Sequence, residues 1–334
     1  MLLLPIAAGA AMAQNPDRPG EGVTAQPAVA TWNSALPPTA VVHVLLEELG
    51  YDVQEEAALS NPIFYQSVVQ GDVDYWASGA FPLHEAHLPE NFEDHASVVG
   101  TIGDDITLEG YLVSREAVEE YDITSLDDFR RPEVKEAFDA NGDGRADLVG
   151  CPPGWGCHVI TNHHMDVYDL RDHVNLVEAA YTASFADALA RYRNGEPVAF
   201  YTWVPNFTIL QLVPGEDVMW INVPEIIPGE GQEGFEDAMV AEDLEGAVTS
   251  PIRLGFVIGD WNIVANDAFL AENPAAEALF ERVRMSIEDL SSMTARITQG
   301  ENSDEDIRAM AEEWIEDNRA EVDEWLQAAR DAAR

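Results

Sequence analysis

Two tryptophans stand in settings that suit a binding pocket. Trp155 lies in a seven-residue loop bounded by Cys151 and Cys157, with a glycine on each side of it. Cysteines this close in sequence can form a disulfide that fixes the loop, and glycines let another group approach the backbone closely. Trp203 ends a β-rich run, residues 198–203, shortly before a proline. Both indoles are therefore expected on rigid supports.

Indole faces held in this way suit a quaternary ammonium ion. Such a cation carries its charge on methyl groups and has no N–H to donate, so an aromatic face is its best partner. Sodium and potassium resist giving up their water to an indole. Contacts of about 0.5–2 kcal/mol each therefore favour a methylated ammonium over the abundant inorganic ions. The two tryptophans predict a pocket for an onium solute.

The charge balance excludes whole classes of partner. The 334 residues contain 17 basic and 62 acidic side chains, a net charge of −45. Nucleic acid needs a basic surface for its phosphates and is excluded, and an anionic membrane surface is disfavoured. So much acid is typical of a solvated surface adapted to high salt, where screening removes most self-repulsion. The alternative is a specific role in attracting cationic ligands.

The N-terminus predicts export. Residues 1–13 form a short apolar stretch that ends in an A-x-A cleavage site, although the usual basic region is missing, so the mature chain is expected to begin at Gln14. We therefore predict a signal peptide over 1–13, a periplasmic location and paired cysteines. Residues 14–26 are rich in Pro, Gly and Gln and predict a flexible leader.

Apolar periodicity predicts alternating strands and helices. Strands are expected at 28–32, 51–53, 73–77 and 198–203, with helices over 41–49 and 63–69. This alternation predicts an α/β fold. Later helices are expected to begin at Asn273-Pro274 and at Ser303, and Trp314 and Trp325 are expected in the core.

Four motifs give the chain a resemblance to a known family, in which they occur in the same order. They are the 151–157 loop, the strand end Tyr201-Thr202-Trp203-Val204-Pro205, the turn Pro82-Leu83-His84, and the run Asn141-Gly142-Asp143-Gly144-Arg145-Ala146-Asp147-Leu148. From about residue 32 onward, the chain resembles the periplasmic glycine betaine/proline betaine-binding proteins of ABC importers (the ProX type, in the OpuAC-like family). Such proteins need no cofactor and deliver their ligand to a permease, and we expect a monomer.

The resemblance implies the two-lobed fold of a type II periplasmic binding protein, with the ligand in the interlobe cleft. Lobe 1 is expected to contain residues 27–111 and 224–334, and lobe 2 residues 112–223. The cleft would close when the ligand binds.

The resemblance also assigns site residues. In the family, three tryptophans box the trimethylammonium group, while a histidine and two backbone N–H groups hold the carboxylate. Trp155 and Trp203 match two positions of the box, and His84 matches the histidine. Gly156 and Cys157 match the two backbone donors.

One position departs from the family pattern. Ala80 stands where the third tryptophan is expected, two residues before the proline of the Pro82 turn. Trp32 is the preferred replacement because it ends a strand, and α/β folds place ligands at the carboxyl ends of strands. Phe81 and Trp76 are the other candidates. For each of the three, the alternative is packing within a lobe.

The run from Asp139 to Asp147 resembles the front half of a calcium loop. Oxygen donors stand at alternating positions, with a glycine at the sharp turn. The expected donors are Asp139, Asn141, Asp143, the backbone carbonyl of Arg145, and Asp147. The closing glutamate is missing, so the alternatives are a structural calcium ion and an Asx-rich turn without metal.

Three histidines close to the loop (His158, His163 and His164) could suggest a transition metal. They lack an acidic or thiol ligand at a fitting spacing, so we predict helix-surface or core histidines.

The function predicted from these patterns is substrate binding for an ABC importer of glycine betaine or proline betaine. The same fold could instead bind trimethylamine N-oxide, choline, carnitine or dimethylsulfoniopropionate. An osmolyte-processing enzyme is disfavoured because no nucleophile-elbow, Walker or HExxH motif is present. A sensor module is disfavoured because no signalling segment accompanies the binding motifs.

Overall fold

The computed structural model of the protein describes residues 15–334, so the predicted signal peptide (residues 1–13) lies outside the described residues. The strands are β1 Thr24–Ala25, β2 Pro27–Ala30, β3 Asp52–Val53, β4 Ala57–Leu59, β5 Tyr75–Phe81, β6 Ala96–Ser114, β7 Ala146–Val149, β8 Val174–Val177, β9 Ala199–Val204, β10 Val218–Ile221, β11 Val240–Ala241, β12 Ile252–Arg253 and β13 Gly259–Asn266.

Most helices are short and lie between these strands. They are α1 Leu36–Glu48, α2 Asn61–Gln70, α3 Arg115–Tyr121, α4 Pro132–Phe138, α5 Gly156–Val167, α6 Tyr181–Arg193, α7 Thr208–Gln211, α8 Asp267–Glu272, α9 Pro274–Phe280, α10 Ile287–Thr298, α11 Asp304–Asp317 and α12 Arg319–Ala332. Short 3-10 helices occupy Asn33–Ala35, Glu85–His87, Phe92–Asp94, Leu126–Arg130 and Glu236–Met239.

One long strand connects the two halves of the main sheet. The strand order is β4-β2-β5-β13-β6-β9-β7-β8, and β10 also pairs with β6. The first part of β6 is antiparallel to β13, and its second part is antiparallel to β9 and β10. Parallel pairs flank it on both sides, β2 with β4 and β5, and β7 with β8 and β9. The predicted α/β class is confirmed.

Separate hydrophobic cores lie on the two sides of this arrangement. One core draws on residues between 111 and 256, joined by Leu83. The other side is packed from residues 25–106 and 261–329. Apart from Leu83, the buried residues of the first core begin at Tyr111, and the other side ends its first segment at Ile106. The division into lobes stays a proposal, and the cores indicate where its edges lie.

The return boundary expected at residue 223 does not match this packing. Leu254 and Phe256 are fully buried in the core that also contains Leu112 and Phe200. The backbone pairs this segment with the middle of the chain, since the Val223 N–H donates to the carbonyl of residue 253. We therefore place the return crossing after residue 256. The sequence could not show it because the apolar run continues into β13 without a break.

The flexible leader expected over residues 14–26 needs correction. Strand β1 pairs in parallel with β3, and Ala25 is fully buried. The Gly20 N–H donates to the carbonyl of Leu49, and the Asp52 N–H to that of Val23. The Pro/Gly-rich composition predicted flexibility, but apolar residues of this segment pack in the core.

The C-terminal helices follow the sequence patterns. Trp314 on α11 and Trp325 on α12 are buried and stacked, with ring centroids 6.3 Å apart. Ser303 and Asp306 form the capping box at the start of α11, each side chain accepting the other's backbone N–H. Both predictions are confirmed.

Gly100 on β6 gives a test of this packing. A Cβ there would overlap the backbone carbonyl oxygen of Phe280, which cannot rotate away as a side chain could. We expect Gly100→Ala to lower the free energy of unfolding by about 1–3 kcal/mol, measured by urea denaturation. In the control Gly150→Ala, the new methyl group meets the Leu176 side chain at 3.3 Å, which can adjust. Equal stability of the two variants would contradict this packing of β6 against α9.

Candidate ligand-binding site

A cavity lies where the two sides of the fold face each other. Residues from both sides line it: Trp32, Ser78, Ala80, Leu83, His84, Thr107, Glu109, Trp155, Gly156, Cys157, Tyr201, Trp203 and Trp261. Six of the seven predicted binding residues line the cavity. Phe81 is the exception.

Three indoles form one corner of the cavity. Trp32 follows β2, Trp155 immediately precedes α5, and Trp203 is on β9. The ring centroids of Trp32 and Trp155 are 5.4 Å apart at 66°, and those of Trp155 and Trp203 are 5.5 Å apart at 87°. Steeply inclined faces can surround a rounded methylated cation from several directions.

Hydroxyl groups fix two of these indoles. The Trp155 Nε1–H donates to Thr31 Oγ1 at 2.8 Å, and the Trp203 Nε1–H donates to Ser34 Oγ at 3.1 Å. Both acceptors are in the segment between β2 and α1, so the bonds connect the two sides of the cavity. Because each indole N–H is already satisfied, the π faces remain for a ligand.

His84 is held in one tautomer. The Ala80 N–H donates to His84 Nδ1 at 3.2 Å, and the Tyr65 hydroxyl lies 2.8 Å from the same atom. Since Nδ1 accepts from a backbone donor, we assign the proton to Nε2. Burial, with a smaller contribution from His87, lowers the pKa of His84 to about 3. The imidazole is therefore neutral near pH 7 and offers one N–H to the cavity.

The N-terminus of α5 supplies further donors. Gly156 and Cys157 are its first two residues, and no side chain caps this end. Their N–H groups have no intrahelical acceptor, and the helix dipole favours an anion there. The Cys151–Cys157 disulfide closes the preceding loop, which confirms the predicted pairing.

Gly156 also lies against the His84 ring. A Cβ on Gly156 would come within 2.8 Å of His84 Cδ2 and 2.9 Å of Leu83 Cγ. Only glycine allows the helix end and the imidazole to approach this closely. The backbone donors and the His84 Nε2–H therefore share one corner, which suits a carboxylate.

Of the three candidates for the missing tryptophan, Trp32 alone lines the cavity. Trp76 is fully buried and packs on Phe64, with ring centroids 4.1 Å apart. The Phe81 ring packs beside Tyr65 at 6.2 Å. Both belong to lobe packing, which is the alternative that the sequence left open for them.

Sequence reasoning missed Trp261. It lies on β13 directly opposite Ala80 on β5, and its Nε1–H donates to the Ala77 carbonyl at 2.9 Å. The small side chain at residue 80 leaves this part of the cavity wall to another ring. Nothing in the sequence indicates that these two positions are paired.

Glu109 and Tyr201 were also missed. The Tyr201 hydroxyl donates to Glu109 Oε2 at 2.8 Å. Burial raises the pKa of Glu109 to about 7, opposed by this hydrogen bond. Period-two alternation from Trp203 could have indicated Tyr201. A single glutamate among 62 acidic residues gives no such signal.

The structure gives no support to the calcium expectation. The Asp139 carboxylate accepts three backbone N–H groups of the loop. Asn141 and Asp143 each accept the N–H of the second residue on, and the Asp143 side chain also pairs with Arg145 at 2.6 Å. Asp147 accepts hydrogen bonds on both oxygens. Across residues 15–334, no group of three or more His, Cys, Asp or Glu side chains is placed to hold a metal. These contacts are those of the Asx-rich turn.

The three histidines near the loop have different partners and do not form a cluster. His158 Nε2 lies 3.1 Å from Glu178, and His163 Nε2 lies 3.0 Å from the Ile227 carbonyl. His164 is buried, with Nδ1 2.9 Å from the Tyr111 hydroxyl. This agrees with the predicted surface and core roles.

The described part of the chain has no helix long and apolar enough to cross a bilayer.

Comparisons with known proteins identify the family of this chain. The family described as "Substrate binding domain of ABC-type glycine betaine transport system" matches residues 24–317. The chain is 36% identical over 319 residues to the glycine betaine-binding periplasmic protein OusX of Dickeya dadantii, which covers 95% of this chain and 93% of that protein. It is 32% identical over 300 residues to the glycine betaine/proline betaine-binding periplasmic protein of Escherichia coli K12, covering 90% and 88% of the two chains.

A solved structure shows the same fold. Lactococcal OpuAC, in its closed-liganded conformation with glycine betaine, matches with a TM-score of 0.66 at 18% identity, covering 91% of this chain and 99% of that one. The predicted two-lobed binding-protein fold is confirmed. Members of the matching family bind a substrate for a transporter and do not convert it, which also confirms the prediction that the chain is not an enzyme. The chain belongs to the family of substrate-binding domains of ABC-type glycine betaine transport systems.

Proposed function

We propose that the protein binds glycine betaine or proline betaine in the periplasm, as a monomer, and delivers it to the permease of an ABC importer. The observation that carries this proposal is one cavity with indole faces in one corner and converging N–H donors in another. Export by a cleaved signal peptide over residues 1–13 belongs to the same proposal. The ligands and periplasmic location in the relatives' names support it.

The proposed pose follows from the two corners. The trimethylammonium head lies among Trp32, Trp155 and Trp203, each contact contributing about 0.5–2 kcal/mol when desolvated. The carboxylate accepts from the Gly156 and Cys157 N–H groups at the start of α5. The His84 Nε2–H is its third donor.

The same contacts explain how binding favours the closed form. Trp32 and His84 come from one side of the cleft, and Trp155 with the α5 N-terminus from the other. A ligand touching both sides has its full set of contacts only when they meet, so it shifts the population toward closure.

The alternative is another methylated onium solute. Carnitine and dimethylsulfoniopropionate keep a carboxylate, whereas choline and trimethylamine N-oxide lack one. A ligand of the second kind would use the indoles and leave His84 and the α5 N–H groups without an anion. The carboxylate corner favours the first kind.

His84→Ala separates these two kinds of ligand. Losing the Nε2–H donor removes a hydrogen bond to a charged group, and we expect glycine betaine affinity to fall about 10–100-fold. Choline affinity should change much less. Tryptophan fluorescence titration measures both.

The matched control is His158→Ala, which removes an imidazole that pairs with Glu178 outside the cavity. Equal loss of glycine betaine and choline binding in His84→Ala would remove the carboxylate corner from the proposal. No saturable binding of any onium ligand by the unaltered protein would reject the proposed function.

Thr31→Val tests the bond that orients Trp155. The variant keeps the side-chain shape but removes the acceptor at 2.8 Å from Trp155 Nε1. We expect glycine betaine affinity to fall roughly 3–10-fold, the worth of one neutral hydrogen bond, mainly through faster dissociation. Stopped-flow fluorescence measures the rate. Thr31→Ser, which keeps a hydroxyl, should restore it, and unchanged dissociation in Thr31→Val would show that the bond does not position the indole.

We also propose that the 139–147 loop holds its shape without metal, because its carboxylates accept backbone N–H groups. Adding EDTA should leave the melting temperature unchanged, and calcium added afterwards should not raise it. Differential scanning calorimetry at constant ionic strength makes the comparison, with magnesium chloride as the control. A rise specific to calcium would restore the calcium hypothesis.

A further inference from the structure

One cavity residue has no role in the proposed pose. Glu109 on β6 lies directly opposite Trp203 on β9 in the antiparallel register, and opposite residues point to the same face of a sheet. Its side chain is therefore beside the indole corner. Only 6% of Glu109 is exposed.

The surroundings leave one carboxylate oxygen unengaged. Oε2 accepts the Tyr201 hydroxyl at 2.8 Å. Among the described residues, no hydrogen bond reaches Oε1, and no lysine or arginine side chain lines the cavity. A buried carboxylate without a positive partner is unfavourable unless a cation is supplied from outside the protein.

We propose that Glu109 is a specificity-determining residue, whose carboxylate faces the ligand's cationic head and selects onium groups over uncharged groups of the same shape. This inference rests on the proposed function and deepens it. It gives the cavity two groups that suit opposite charges, the Glu109 carboxylate beside Trp203 and the N–H donors of the α5 N-terminus and His84. A zwitterion with a cationic head and an anionic tail matches both.

The same arrangement couples binding to proton release. In the empty cavity, burial holds the pKa of Glu109 at about 7, so much of the group retains its proton at and below neutral pH. An arriving onium head stabilises the ionised form, so the carboxyl group loses its proton to solvent as the cation binds. Affinity should therefore rise with pH and level off once Glu109 is already ionised in the free protein.

Among the described residues, the other titratable groups that face Glu109 have pKa values shifted away from this range. The phenols are Tyr111 on its own strand, Tyr201 on β9 and Tyr181 on α6, and burial raises the pKa of each above its usual range. Across the cavity, the pKa of His84 is lowered to about 3. A pH dependence of binding near neutrality thus reports on Glu109.

The test uses Glu109→Gln, which keeps the shape and still accepts the Tyr201 hydroxyl. Its two ligands are glycine betaine and 3,3-dimethylbutanoate, which has an uncharged tert-butyl head of the same shape. Calorimetric titrations are made at about pH 5.5 and about pH 8. In the unaltered protein we expect roughly tenfold tighter glycine betaine binding at the higher pH. In Glu109→Gln, glycine betaine affinity should differ by less than about twofold between the two pH values. The ratio of glycine betaine affinity to 3,3-dimethylbutanoate affinity should be roughly tenfold smaller than in the unaltered protein.

Two further variants sharpen the result. Tyr201→Phe removes the hydrogen bond that stabilises the ionised carboxylate, so the pKa of Glu109 rises and the pH at which affinity levels off moves upward. Glu116→Gln, on α3 away from the cavity, should leave the profile unchanged.

The outcomes separate the two claims. Glycine betaine binding with the same pH profile and selectivity in Glu109→Gln as in the unaltered protein overturns the role of Glu109 and leaves the proposed function standing. Failure of the unaltered protein to bind any onium ligand overturns both.

Discussion

The close approach of Gly156 to the His84 ring is the constraint on which the site depends. The first turn of α5 and the imidazole meet because nothing larger than hydrogen stands between helix and ring. The disulfide holds the loop before α5, and Ala80 and Tyr65 hold the imidazole. Each side of the cleft therefore holds its own part of the corner in a fixed geometry, and closure brings the two parts together. Preorganised donors of this kind lose little entropy on binding.

The protein uses negative charge in two different environments. Most of its acidic residues are on the surface, where salt screens them over about 10 Å or less. Glu109 is buried beside the indoles, where screening is weak and a nearby cation matters far more. The net charge of −45 thus describes the solvated surface, whereas selectivity rests on one carboxylate. Composition alone cannot separate the two.

Local chemistry made much of the site predictable. The glycines and cysteines around Trp155 indicate a tied loop from sequence alone, and the strand before Trp203 is a local apolar pattern. Long-range register was not predictable. Glu109 faces Trp203, and Trp261 faces Ala80, only because β6 pairs with β9 and β13 with β5. The fold shows the same difference between local patterns and long-range pairing. Alternating strands and helices indicated the α/β class, whereas the crossing after residue 256 and the pairing of β1 with β3 depend on contacts between distant segments.

The proposed box illustrates how an aromatic position can move from one structural element to another. A tetrahedral methylated cation has no preferred axis, so an indole face is effective from any direction that brings it into contact. Trp32 reaches the site from the turn after β2, a different element from β5. Trp261 fills the wall opposite Ala80, where a larger side chain at residue 80 would compete for the same space. A carboxylate site tolerates less exchange, because N–H donors must point at its oxygens within narrow limits of distance and angle. Aromatic positions are therefore expected to move between elements more readily than His84 and Gly156.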